Sequence, residues 1–268
     1  LKELPLALID THCHLDAPIY SRIEEVYRRS CQAGVHRVVA VGTGLVANQR
    51  LLALQQRYPT YVWAALGLHP ERLDLSWGEV ESVMAQLETH RAEIVAVGEI
   101  GLPHYTVLDR RMTDSQAKRN ETYLHTLVRA AARLELPVVL HAPHATAAVA
   151  LKIVQHYEPP GAVFHWHKSD PETTAAICAA GYYLSVTPEV CYRERDRELV
   201  RTVPLAHLLL ETDGPWPYDG EFAGQETSPG LVTRVAEEVA QLKGVPFTEV
   251  CAITTANAHR LFGNPATP

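Results

Sequence analysis

Short apolar runs alternate with longer amphipathic stretches along most of this chain. The runs at Ala7–Asp10, Arg37–Gly42, Val62–Gly67, Ile94–Gly98, Pro137–His141, Ala162–His165, Tyr182–Val186 and Leu208–Thr212 are rich in Val, Ile and Leu and apolar almost throughout. That is the pattern of strands buried on both faces, as in a parallel sheet. Helical periodicity fills the intervals at Ser21–Ala33, Ala47–Arg57, Trp77–Thr89, Ser115–Leu134, Thr146–His156 and Pro171–Ala180, then at Pro229–Leu242 and Pro246–Phe262. Eight strand–helix units in roughly 250 residues predict a (β/α)8 TIM barrel, whose active-site residues gather at the C-terminal ends of the strands. A doubly wound sheet is the alternative, because periodicity does not report closure. No Gly-rich dinucleotide fingerprint follows the first strand, which lowers that alternative. With no internal repeat, low-complexity tract or linker, residues 1–268 are expected to form one domain. The Pro- and Gly-rich stretch Gly214–Gly230 is a long loop after the eighth strand, a place where barrels commonly keep function.

The composition fits this outline. Of 268 residues, 47% are hydrophobic and 21% charged, ordinary globular values that allow a large core. No apolar run approaches the roughly 18 residues of a membrane helix. The opening run Leu4–Asp10 lacks the basic leader and small-residue cleavage site of a signal peptide and reads as the first strand. Five widely spread cysteines without a C-x-x-C argue against a disulfide framework or thiolate zinc site, and for the reducing cytoplasm. A net charge of −7 discourages sequence-independent wrapping of duplex nucleic acid. It leaves room for a phosphate-bearing substrate, since bound divalent cations reverse the field locally. No membrane contact and no obligate protein partner are evident.

The chemistry concentrates at the predicted strand ends. His12 and His14, two apart on a strand, share a face, and Cys13 between them points the other way, toward the packing between sheet and helices. The third strand runs into Gly67-Leu68-His69-Pro70 and the fourth into Gly98-Glu99-Ile100-Gly101-Leu102. The fifth ends in Leu140-His141, the sixth in Phe164-His165-Trp166-His167 and the eighth in Glu211-Thr212-Asp213-Gly214-Pro215. Paired imidazoles at one strand end, joined by imidazoles and carboxylates at others, are the makings of a metal site at a barrel mouth. His36, His90, His125, His156, His207 and His259 fall on helices, loops or strand starts and read as surface or packing residues. His104, His144 and His167 fall near the mouth, where rim residue and substrate contact are both open readings.

These motifs, with the closing Asn257-Ala258-His259-Arg260-Leu261-Phe262-Gly263, resemble in order the TatD family of metal-dependent deoxyribonucleases, from about residue 8 to 264. The resemblance implies an amidohydrolase-like barrel with two divalent ions. His12, His14 and Asp213 would hold one, His141 and His165 the other, and Glu99 would bridge them. On histidine count zinc is the first choice, with magnesium or manganese as alternatives for the working enzyme. Paired cations lower the pKa of water from 15.7 toward about 7 and so supply hydroxide. Asp213 would orient that water and take its proton, His69 would touch a phosphate or leaving group, and Glu211 would support the site from behind.

The chain departs from the family beside the ligands. Where the family reads Gly-Glu-Ile-Gly-Leu-Asp-Tyr, this chain has Pro103-His104 in the last two places. Ser-Arg-Asp becomes Ala142-Pro143-His144, and Cys-Phe-Ser-Gly becomes Trp166-His167-Lys168-Ser169. The lost arginine matters most, because a guanidinium clamps phosphate in bidentate fashion. Lys168 is one replacement. The run Arg193-Glu194-Arg195-Asp196-Arg197 is another, although it reads more readily as a solvated helix face of mixed charge. Trp166, Trp216 and Tyr218 offer stacking surfaces or rim packing. The substrate that the resemblance implies is single-stranded DNA or an oligonucleotide. A small-molecule esterase, lactonase or amidase on the same centre and a metal-bound binding scaffold without turnover are the other readings.

Overall fold

Strand β1 (Leu8–Cys13) continues beyond its apolar start and carries Thr11, His12 and Cys13 inside the sheet. After it come β2 (Val35–Val41), β3 (Val62–Leu66), β4 (Ala96–Gly101) and β5 (Val138–His141). The last three are β6 (Ala162–Phe164), β7 (Tyr183–Val186) and β8 (Leu208–Leu210). Every strand pairs in parallel with the next in chain order. The structure is a computed structural model that describes residues 7–263; Leu4, Pro5 and Leu6 of the opening run lie outside them.

Closure, which periodicity left open, is made between β1 and the segment after β8. Cys13 and Gly214 form a parallel bridge, the His14 amide donates to the Gly214 carbonyl at 2.7 Å, and the Asp213 amide donates to the His12 carbonyl at 2.9 Å. The doubly wound alternative is thereby excluded: the sheet is a (β/α)8 barrel. Its seam lies where three of the candidate ligands sit.

The helices are α1 (Ile23–Gln32), α2 (Leu45–Arg57), α3 (Trp77–Thr89), α4 (Tyr105–Leu108) and α5 (Asp114–Arg133). They continue with α6 (Thr146–Tyr157), α7 (Pro171–Ala179), α8 (Glu194–Thr202), α9 (Val232–Lys243) and α10 (Phe247–Phe262). Their starts are chemically marked. Ser76 accepts the Glu79 amide at α3, Thr113 and Gln116 form a reciprocal capping box at α5, and Asp170 accepts the Thr173 amide ahead of Pro171 at α7. The short helix α4 lies outside the predicted segments, and α8 begins in the run Arg193–Arg197 that reads as a helix face. The expected Pro229–Leu242 helix opens instead as a 3-10 turn at Pro229–Leu231. Among the described residues no helix is long and apolar enough to cross a membrane.

Two apolar layers follow from the alternation of side chains along each strand. Val38, Ala40, Val62, Leu66, Val138 and Leu140 face the helices in the larger layer, and Cys13 lies buried there as expected. Ile9, Val39, Trp63, Val139, Val163 and Leu209 fill the barrel interior, joined by Ala258, Leu261 and Phe262 from α10. The interior is thus packed solid below the strand ends, and the polar site sits on an apolar floor.

Candidate metal centre

The strand ends bring His12, His14, Glu99, His141, His165 and Asp213 onto one point. Glu99 stands at its middle. Its Oε1 lies 2.8 Å from His165 Nε2 and 3.0 Å from His141 Nδ1, and its Oε2 lies 3.4 Å from His12 Nε2 and 3.6 Å from His14 Nε2. Asp213 Oδ1 is 3.4 Å from Nε2 of both His12 and His14. Glycine makes this crowding possible. A Cβ at Gly67 would fall 2.4 Å from the backbone of Glu99, and one at Gly101 would fall 1.9 Å from the His141 carbonyl. Asp213 adopts a left-handed backbone (φ 47°), a conformation Asp tolerates better than most residues, and this turns its carboxylate back over the barrel.

Hydrogen bonds behind the ring nitrogens decide which nitrogen faces inward. The His14 Nδ1–H donates to the Val41 carbonyl at 3.2 Å, which turns Nε2 toward Asp213 and Glu99. Glu211 lies behind His165, 3.4 Å from its Nδ1, and also accepts the Trp166 amide at 2.7 Å. Glu71 lies behind His141, 3.3 Å from its Nε2. His69 is the opposite case: its Nδ1 accepts the Glu71 amide at 3.2 Å, so the proton sits on Nε2, which points at Glu99 from 3.4 Å. His69 turns an Nε2–H toward Glu99, and the other three rings turn the nitrogen that an ion would take toward the same carboxylates.

Burial and charge oppose each other throughout the cluster. Burial favours a neutral Glu99, yet His69, His165 and His12 hold its carboxyl well below the usual carboxylate range. Asp213 is likewise held down against its burial, chiefly by its hydrogen bond with His14. Burial works against the His14 cation, but Asp213 and Glu99 carry it up to about 9. The same contest raises His141 and His165, whereas burial wins at His12 and His69 and lowers both.

The residues fit divalent ions. His12 Nε2 and Glu99 Oε2 are buried with no hydrogen-bond partner, an arrangement that is costly unless something else binds there. Ligand atoms of His12, His14 and Asp213 can lie within 4.8 Å of one another, as can those of His12, Glu99 and His165. The 3.4 Å edges match the separation of about 3.4 Å between donors roughly 2.1 Å from a tetrahedral centre.

Above the cluster opens a cavity of about 1110 Å³. Its wall includes Tyr105, His144, Trp166, Lys168 and Trp216, together with Arg193 and Arg195. His104 does not line it; its ring lies against that of His144 at 4.7 Å, and its amide donates to Glu71. His167 does not reach it either. Its imidazole is buried and bonded to the Thr174 hydroxyl at 2.8 Å, so the reading of His167 as a substrate contact is corrected. The arginine run is not wholly a solvated face: Arg193 and Arg195 reach the cavity, tied to Glu189 at 2.5 and 2.7 Å. Tyr218 packs with Trp166 and Phe222 in a small apolar cluster and donates to the Thr212 carbonyl at 2.6 Å, so it is rim packing.

Two residues escaped the sequence reading. Asp10 accepts the amides of His12 and Thr212 at 3.2 and 3.0 Å and the Thr212 hydroxyl at 2.5 Å, pinning β1 to the segment after β8. Its signal was position, two residues before His12 on a buried strand. Glu71 accepts the amides of His104, Tyr105 and Thr106 at 2.7, 2.8 and 2.8 Å and the Thr106 hydroxyl at 2.5 Å. Burial opposes its ionisation, yet His141 and these donors hold its carboxyl well below the usual range. Glu71→Ala leaves those donors without an acceptor and is expected to lower stability by about 2–4 kcal/mol. Urea unfolding checks this; an unchanged midpoint would show that the 104–106 segment is held by other contacts.

The comparisons agree with this geometry. The model of the TatD related DNase family matches residues 9–263. The uncharacterized metal-dependent hydrolase YjjV of Escherichia coli K12 is 34% identical over 262 residues, covering 96% of this chain and 98% of that one. Human deoxyribonuclease TATDN3 is 28% identical over 273 residues, covering 98% and 97%. The crystal structure of the Escherichia coli YjjV protein superposes with a TM-score of 0.87 at 31% identity, covering 98% of this chain and all of that one. A strand-end cluster of imidazoles and carboxylates, on a barrel that matches these relatives along nearly its whole length, places the chain in the TatD family of metal-dependent hydrolases.

Proposed function

We propose that this hydrolase is a phosphodiesterase that cleaves single-stranded DNA or short oligonucleotides with two divalent ions. The observation that carries the proposal is the set of ring orientations around Glu99. His14 and His141 each have one nitrogen hydrogen-bonded from behind, His165 has Glu211 3.4 Å behind its Nδ1, and all three turn the other nitrogen to the centre, while His69 Nδ1 accepts a backbone amide and leaves an Nε2–H toward Glu99. His12, His14 and Asp213 would hold one ion, His141 and His165 the other, and Glu99 would touch both. Imidazole and carboxylate without thiolate suit zinc first, then manganese or magnesium. When bound, such ions acidify water and polarise a phosphoryl oxygen.

The protein's own residues supply the rest. The Asp213 carboxylate, ionised and facing the cavity, orients the attacking water and accepts its proton. The His69 Nε2–H donates to a phosphoryl or leaving oxygen. Glu211 and Glu71 keep the His165 and His141 rings from turning. Trp216, exposed at the mouth and 5.6 Å from the buried Trp166, gives a base an apolar face. The mouth of one barrel suits a flexible strand better than a duplex, and the name of the human relative, a deoxyribonuclease, supports the same substrate class.

The test is end-labelled single-stranded DNA incubated with protein loaded with zinc, manganese or magnesium. The wild type is expected to cleave it, and a Glu99→Gln, Asp213→Asn double variant is not. Equal cleavage by the two proteins with every metal would end the nuclease reading. Turnover of only carboxyl esters or lactones in a parallel panel would move the activity to that bond.

A further inference from the structure

Four fixed cations stand on the cavity wall: Arg111, Lys168, Arg193 and Arg195. Three are answered locally. Arg111 has Asp109 at 3.5 Å, Arg193 has Glu189 at 2.5 Å, and Arg195 has Glu189 and Asp196, each at 2.7 Å. Among the described residues Lys168 has no carboxylate at ion-pairing distance. Its ammonium stands 3.5 Å above the centre of the Trp166 ring and 3.3 Å from the Tyr105 hydroxyl. An aromatic face and a hydroxyl locate an ammonium without neutralising it. Half-buried and unanswered, that charge is unfavourable, and burial lowers its pKa to about 8.

The seat under Lys168 is built rather than incidental. Trp166 takes the left-handed conformation (φ 38°), which a bulky residue rarely adopts unless its surroundings enforce it. Here the Trp166 amide is bound by Glu211 at 2.7 Å and by the Ser185 hydroxyl at 3.2 Å, and the indole N–H donates to Glu189 at 3.1 Å. The plane that carries the ammonium is fixed at three points. Lys168 follows His165 by three residues, yet neither Glu99 nor Asp213 pairs with it. Its charge therefore addresses a group beside the bond attacked, not the bond itself.

We propose that Lys168 receives a second phosphate of the substrate, the one flanking the phosphodiester under attack, on the seat formed by Trp166 and Tyr105. This rests on the nuclease reading and narrows it to substrates with two consecutive phosphates, in preference to an isolated diester. It also makes Lys168 the specificity-determining cation on a wall whose arginines are already neutralised.

The experiment compares the 5′-phosphorylated thymidine dinucleotide pTpT with bis(p-nitrophenyl) phosphate, which carries a single phosphate. For K168M the preference for pTpT, as a ratio of kcat/KM values, is expected to fall about 10–100-fold, mostly through KM, and K168R to recover most of it. A ratio unchanged within about twofold of wild type, or K168R as damaged as K168M, would overturn the role of Lys168 while leaving the nuclease reading intact. Binding of pTpT to Asp213→Asn protein, with and without K168M, is measured by calorimetry without turnover. An affinity loss of about tenfold there, in a protein whose wild type cleaves no nucleic acid, would keep the phosphate seat and remove the nuclease reading.

Discussion

Asp213→Asn is expected to lower kcat on single-stranded DNA by about 10²–10⁴-fold with little change in KM. The substitution is nearly isosteric, and Asn tolerates the left-handed backbone that Asp213 adopts. The amide of residue 213 still donates to the His12 carbonyl, so the seam between β1 and β8 stays closed. What disappears is the charge 3.4 Å from both His12 and His14 and the oxygen able to take a proton from water. Glu99→Gln is expected to fail differently, because Glu99 answers several imidazoles at once and its loss leaves them without the anion that gathers them. Metal content after gel filtration separates the two. If two ions bind as proposed, Asp213→Asn should retain at least the one on the His141 and His165 side, whereas Glu99→Gln should retain little. Activity of Asp213→Asn within threefold of wild type at saturating metal would remove Asp213 from the reaction.

Most of the strand-end cluster was legible because a histidine or acid at a strand end has few other reasons to be there. The apolar runs located the strands, and β1 and β4 simply extend far enough to hold His12 and Glu99 within the sheet. The reading failed where the backbone leaves the regular alternation. His165 and His167, two apart, should share a face as His12 and His14 do. The β6 strand ends at Phe164, however, and the left-handed turn at Trp166 reverses the phase, sending His167 to Thr174 and returning Lys168 to the cavity. Glu71 was invisible for another reason: its side-chain partners lie more than thirty residues away, at the start of α4 and on β5, and only the pairing of β3, β4 and β5 brings them together. The arginines near α8 carry alternating charges that spell a solvated face, but Glu189, itself buried, draws Arg193 and Arg195 inward.

The metal-free protein is expected to lose stability as pH rises from about 6.5 to 9, and the metal-loaded protein is not. His14 is raised to about 9 by Asp213 and Glu99 against its burial, and His165 and His141 are also raised. A histidine whose folded pKa lies above its unfolded value stabilises the fold fully below the unfolded value, and that contribution vanishes as pH climbs through the folded one. The rise at His14, from 6.5 to about 9, amounts to about 3.5 kcal/mol at about 1.4 kcal/mol per pH unit, an upper bound for this single group. His12 and His69 are lowered by burial and so reduce stability only on the acid side, below about 6.5. Glu99 and Asp213, held low, lose their contribution only in acid, below the ordinary carboxylate range. Between 6.5 and 8 the raised histidines therefore set the slope, and above about 8 Lys168, lowered by burial, offsets part of it in both forms of the protein. A divalent ion replaces their protons with its own charge and binds imidazole only in its neutral form, so its stabilising effect grows over the same interval. Thermal unfolding of chelator-treated and metal-reconstituted protein at pH 6.5 and 9 should show the gap between their Tm values widening at the higher pH. Parallel pH profiles for the two forms would mean that the cluster is held by its surroundings rather than by the charges its histidines share with Glu99 and Asp213.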